Sequence, residues 1–231
     1  SFQNGLYAMS FRLYDALNVV PFLATSLLLP TLAKRGVKSI EGLSISREIL
    51  RFATTLSAVT FPLIFWAHGD LFSLFYGDQV DVAKEVFKVM MICFMVGAPM
   101  AVLGTILTAA DKVWTVSLVA LSGCILNIVC NALFIPSYGA LGASWTTLAT
   151  ALFITLLYLW HLRTMIGQLL SWKISIQYIA LGTMCWASFA LINQFLPVEF
   201  LFKVILYLII TSAIIASTKW LQISILPTSR N

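Results

Sequence analysis

Seven stretches of this chain are apolar over lengths that few soluble folds tolerate: 8–33, 49–66, 86–109, 113–134, 140–162, 174–196 and 200–216. About 20 mostly apolar helical residues cross the roughly 30 Å hydrocarbon core of a bilayer. In lipid the backbone must satisfy its own hydrogen bonds, so a spanning segment is a helix or part of a closed barrel. Barrel strands alternate apolar and polar residues, whereas these runs are continuous. The expected fold class is therefore an all-α integral membrane protein, a bundle of seven transmembrane helices.

Composition supports this. Hydrophobic residues make up 60% of the chain and charged residues 10%, against about 45–50% and about 25% in soluble domains. Too little polar material remains to cover a soluble globule. An ordinary cytosolic enzyme, a nucleic-acid-binding module and a disordered chain are excluded. The net charge of +5 comes from basic residues beside apolar runs, so no nucleic-acid partner is expected. Cys93, Cys124, Cys130 and Cys185 each lie inside an apolar stretch, without a C-x-x-C pair, and read as small buried hydrophobes. His68 and His161 lack neighbouring ligands, and no metal or cofactor is expected. No nucleophile motif, P-loop or paired inward carboxylates occur, so the chain reads as no enzyme. The first residue is Ser1, and no signal peptide follows it. The expectation is a fragment or processed chain whose upstream part is missing.

Short joins at Asp111-Lys112, Pro136-Ser137-Tyr138-Gly139 and Pro197-Val198-Glu199 make neighbouring spans antiparallel. Two connections read as longer, 34–48 and 67–85, the second with room for a short interfacial helix around 71–76. Lys34, Arg35, Lys38, Arg47, Arg51, Lys112, Arg163, Lys173, Lys219 and Arg230, ten of the fourteen Lys and Arg residues, fall on one face. The opposite connections carry Asp70, Asp78, Asp81, Glu85 and Glu199, with Lys84, Lys88 and Lys203 as their basic residues. The positive-inside rule assigns the basic face to the cytoplasm. The first residue is then outside and the last inside. Trp66, Trp114, Trp145, Trp160, Trp172 and Trp220 lie mostly near span ends, as an interfacial aromatic belt requires.

Three stretches carry a family resemblance. The first runs Leu126-Asn127-Ile128-Val129-Cys130-Asn131-Ala132-Leu133-Phe134-Ile135-Pro136, then Gly139 and Gly142-Ala143. The second is Gly5-Leu6-Tyr7 leading to Arg12-Leu13 and Pro30-Thr31-Leu32. The third is Phe75-Tyr76-Gly77 with Leu107-Thr108-Ala109-Ala110-Asp111-Lys112, where Asp111 stands at a position usually glycine. In order and spacing they resemble the second half of a polysaccharide flippase of the multidrug/oligosaccharidyl-lipid/polysaccharide exporter superfamily. The resemblance covers residues 5–150 and implies the last seven spans of fourteen, in two parts: a transporter lobe of five helices at 1–165 and two further helices at 166–231. It implies a bacterial inner-membrane flippase that moves a lipid-linked oligosaccharide for polysaccharide biosynthesis by alternating access. The implied partners are the oligosaccharide lipid, membrane lipid, the missing N-terminal half, and glycosyltransferases and a polymerase of the same pathway.

Arg12 and Asp15 lie three apart near the outer end of the first span and share a helix face. A charge inside a membrane usually meets a partner or a wet cavity. A guanidinium forks onto phosphate oxygens, so Arg12 suits the anionic head of a lipid-linked substrate, with Asp15 as its holder or as an ion-coupling group. The plainer reading is an interfacial pair that snorkels to the headgroups. The resemblance adds weight to the cavity, since related flippases place an arginine of this span there. Pro21 and Pro30 are candidate hinges, or static kinks. Asn127 and Asn131, four apart, form an interhelical hydrogen-bonding pair before they form a sugar site. The cluster from Lys34 to Arg51 sets topology first and could also attract anionic lipid.

Other readings remain open. A drug or cation antiporter of the same superfamily needs a deep carboxylate, for which Asp15 is the one weak candidate. A lipid II flippase differs in substrate alone. A membrane glycosyltransferase or polymerase usually needs acidic residues or an Arg-rich external loop at its active site, and the longest external connection here has a few Asp residues and no Arg. A non-transporting scaffold subunit is the remaining alternative.

Overall fold

Among the described residues, every apolar run falls in a helix. The computed structural model describes residues 2–76, 81–166, 172–195 and 200–217, and the readings for Asp78, Gly77, Pro197, Glu199, Lys219, Trp220 and Arg230 lie outside them. The described residues form α1 (Phe2–Arg35), α2 (Ile40–Tyr76), α3 (Asp81–Ala109), α4 (Val113–Met165), α5 (Trp172–Phe195) and α6 (Phe200–Ser217), with no strand among them. Among the described residues, three helical segments are long and apolar enough to cross a membrane: Tyr7–Arg35, Ala83–Ala109 and Val113–Met165. Phe202–Ala216 is a shorter apolar helix. The molecule is thus a helical assembly suited to a bilayer.

The fourth and fifth expected spans are the two arms of α4. A straight helix of 53 residues would measure about 80 Å at 1.5 Å per residue, far beyond a hydrocarbon core of about 30 Å. The chain instead reverses at Gly139, whose φ of 56° and ψ of −133° are open to glycine alone. Pro136 stays helical, so the reversal is concentrated in one residue rather than spread over the four expected. Gly142 then lets the returning arm pass the Phe134 carbonyl, from which a Cβ would lie 2.7 Å away.

The connection expected at 34–48 is shorter. Gly36, at φ 78°, ends α1, and α2 begins at Ile40. Ser39 caps the new helix: its Oγ accepts from Gly42 N–H at 2.9 Å and donates to Gly36 O at 2.8 Å. Residues 40–48 are too polar to read as a span, yet they are helical and extend α2 beyond the apolar region. Likewise 71–76 continues α2 rather than forming a separate helix.

α3 is the centre of the bundle. Met90, Cys93, Ala98, Val102 and Ile106 are fully buried along it. α1, α2 and α4 pack around α3, while α5 and α6 join through α2 among the described residues. Ser10 near the start of α1 donates to Ala83 O near the start of α3 at 3.0 Å. Leu28 and Leu32, toward the end of α1, share one core with Val102 and Ile106. α1 and α3 are therefore parallel. Leu32, Val37, Leu50, Leu107 and Leu162 meet in that same core, which gathers Lys34, Arg35, Lys38, Arg47, Arg51, Lys112 and Arg163 at one end of the bundle.

The α3–α4 turn explains the unusual Asp111. Lys112 N–H reaches back to Leu107 O at 3.0 Å and Asp111 N–H to Thr108 O at 3.1 Å. This is the double bond set of a Schellman cap, whose reversing residue is left-handed and commonly glycine. Asp111 fills it at φ 61°. Asp111→Gly removes about 1–2 kcal/mol of left-handed backbone strain, less about 0.5–1 kcal/mol for the greater backbone entropy of glycine, and is expected to raise the unfolding temperature in detergent; a lower one would contradict this account of the turn.

Candidate functional site

α1 presents two different sides. Its inner side is tied to α3 and α4. Tyr7 Oη and Thr147 Oγ1 are 3.4 Å apart, and Ser10 holds Ala83. Tyr14 and Asn18 fill the space that Gly97 leaves by lacking a side chain. Asn18 Nδ2 also donates to Tyr14 O at 2.9 Å. These polar contacts escaped the sequence reading because tyrosine and serine are unremarkable in an apolar span. The i, i+7 spacing of Tyr7 and Tyr14 was the available signal.

The other side of α1 carries Ala8, Arg12, Asp15, Ala16, Val19 and Leu23, all exposed, at helical spacing. Arg12 and Asp15 therefore do share a face, and that face looks away from the packed helices of this chain. Among the described residues neither makes a hydrogen bond or an ion pair, with each other or elsewhere. The helices described here do not by themselves enclose Arg12. Below it the face is apolar, with Phe22, Leu23 and Leu27 open.

The two prolines lie on different sides. Pro21 is buried against the bundle and Pro30 is exposed. α1 remains one helix through both. Pro21 lies nine residues beyond Arg12, about 14 Å along the axis.

Asn127 and Asn131 lie on α4 rather than on α1. They form a ladder between the arms of α4. Asn127 Nδ2 donates to Thr150 Oγ1 at 3.2 Å, and Asn131 Nδ2 donates to Asn127 Oδ1 at 2.9 Å. Thr146 Oγ1 donates to Asn131 Oδ1 and also lies 2.9 Å from Ala143 O. Both amide donors thus have partners inside the hairpin. Thr146 and Thr150 were not read from sequence, although they repeat the four-residue spacing of the asparagines at mirror positions about the turn.

A recess of about 450 Å3 opens between α2, α3 and α5, beside Ser57, Phe61, Pro99, Gly182 and Trp186. Its described lining residues offer contact to an alkyl chain and carry no charge. No described group of three or more His, Cys, Asp or Glu residues comes together as a metal site.

No protein-family model matches the chain, and no curated protein matches it.

Proposed function

We propose that this chain is part of a flippase that carries a lipid-linked oligosaccharide across a membrane by alternating access. The observation that carries the reading is Arg12, a cation within an apolar helix, on an exposed face and without a described partner. A charge in such a place needs a wet cavity or an anion. A planar guanidinium suits a lipid phosphate or pyrophosphate through paired hydrogen bonds.

In this reading α1 is one wall of a central chamber and a second helical lobe supplies the opposite wall. The seven helical segments, counting both arms of α4, are the last seven of fourteen spans. The basic end faces the cytoplasm. The phosphorylated head group crosses through the chamber while its lipid tail stays in the bilayer. Two lobes rock about the site, with the proline-bearing α1 as a moving part. The α4 hairpin, locked by its asparagine–threonine ladder, is a rigid element against which α1 moves. The bacterial inner membrane and the surrounding biosynthetic enzymes are those that the sequence resemblance implies.

The competing reading is a drug or cation antiporter, which would use Asp15 as its coupling carboxylate. The two separate in cells deprived of the full-length protein. The flippase reading expects lipid-linked oligosaccharide to accumulate in the inner leaflet and surface polysaccharide to fall, with drug efflux unchanged. Normal surface polysaccharide with impaired efflux would replace it with the antiporter.

A further inference from the structure

The basic end of the bundle contains a second, smaller recess, unlike the apolar one. It measures about 170 Å3 and lies where the end of α3, the start of α4 and the end of α4's returning arm meet. Lys112, Thr115, His161 and Thr164 line it above Leu107 and Met165, and none of these described lining residues is acidic. At roughly 30 Å3 per water the space of about 170 Å3 holds about six waters, room for one tetrahedral oxyanion rather than a sugar chain.

The polar groups are arranged for such a guest. Lys112 makes no side-chain hydrogen bond or ion pair among the described residues, and the Thr115 hydroxyl makes no hydrogen bond there. His161 donates from Nδ1 to Leu157 O at 2.8 Å, which fixes the ring and leaves Nε2 as its remaining polar atom. That nitrogen can donate as an imidazolium or accept from a phosphate hydroxyl. The Thr164 hydroxyl is 2.8 Å from His161 O, which anchors the far wall. Lys112 itself is placed by the Schellman turn, since its own N–H closes that turn on Leu107.

Two tryptophans set the depth. Trp114 in the first turn of α4 is 75% exposed, and Trp160, whose ring meets His161 edge-on at 5.0 Å, is 62% exposed. Exposed indoles at helix ends sit at headgroup level. We propose that this recess binds the phosphate of an anionic membrane lipid, seated between Lys112 and His161 and flanked by Trp114 and Trp160. The site is remote in sequence and in element from Arg12, and it stands whether or not the chain transports anything.

The test is native mass spectrometry of the full chain in neutral detergent, with added phosphatidylglycerol or phosphatidylcholine, and a parallel calorimetric titration with inorganic phosphate. The wild type is expected to retain phosphatidylglycerol over phosphatidylcholine, and Lys112→Gln with His161→Gln to lose at least about fivefold of that preference. Lys112→Arg is expected to keep it, which controls for folding. Arg35→Gln with Lys38→Gln is expected to keep it too, which separates a pocket from general basic attraction. Equal retention by the wild type and the Lys112/His161 double variant would overturn the site. Phosphate binding that the double variant loses, without any lipid preference, would overturn the lipid assignment and give the pocket to a soluble phosphate.

Discussion

Arg12→Ala in the full-length protein is expected to lower surface polysaccharide by about 10- to 100-fold while the amount of protein in the membrane stays unchanged. The size follows from what is removed. A hydrogen bond to a charged group contributes about 1.5–3 kcal/mol, and about 1.4 kcal/mol is a factor of ten. The unchanged abundance follows from the packing: Arg12 is exposed and makes no described hydrogen bond or ion pair, so the fold loses no such contact with it. Arg12→Lys keeps the charge and loses the fork, and is expected to fall between the wild type and alanine. Quantitative immunoblots of surface polysaccharide and of the protein in the same membranes check both halves. Wild-type export from the alanine variant would remove Arg12 from the transport path.

The second large effect concerns shape. Gly139→Val places a β-branched side chain at φ 56° and ψ −133°, a region essentially closed to it, at a cost of roughly 1–3 kcal/mol. The reversal also holds the Asn127–Thr150 and Asn131–Thr146 bonds in register. Such interhelical bonds in membranes average about 0.6 kcal/mol each. Loss of the turn therefore removes the ladder as well. The expected result is a marked drop in folded protein, read by size-exclusion fluorescence of a tagged chain. Asn127→Ala alone, which leaves the turn in place, is expected to do much less. Equal loss from the two variants would mean that the ladder, not the turn, forms the hairpin.

The hairpin was legible in the sequence because Pro136 and Gly139 punctuate an apolar run too long for one crossing. Its ladder was half legible. Two asparagines four apart announce a hydrogen-bonding face in lipid, but Thr146 and Thr150 are so common in such spans that nothing marked them as partners. The start of α2 was hidden for the opposite reason. Residues 40–48 are polar, so hydropathy reports a loop where a capped helix extends past the apolar region. The face of Arg12 was the least legible feature. Apolar residues surround α1 on every side, including exposed Val19, Phe22, Leu23 and Leu27. With apolar residues on the exposed side as well as the buried one, hydropathy does not orient the helix, and the polar stripe of Tyr7, Ser10, Tyr14 and Asn18 is what marks its buried side. The packing of Tyr14 and Asn18 against Gly97 sets its rotation.

That rotation is where the account can be tested most directly. Single cysteines in place of Arg12, Ala16 and Val19 on α1, and of Leu121 and Ile128 on the exposed face of α4, would be treated with a membrane-impermeant maleimide. The full-length protein in cells would carry Cys124→Ala and Cys130→Ala, leaving the buried Cys93 and Cys185. A water-filled chamber predicts labelling at all three α1 positions, Val19 included, and protection at the two α4 positions. Protection of Ala16→Cys and Val19→Cys to the same degree as Ile128→Cys would mean that the Arg12 face meets lipid, and the proposed transport path would fall with it.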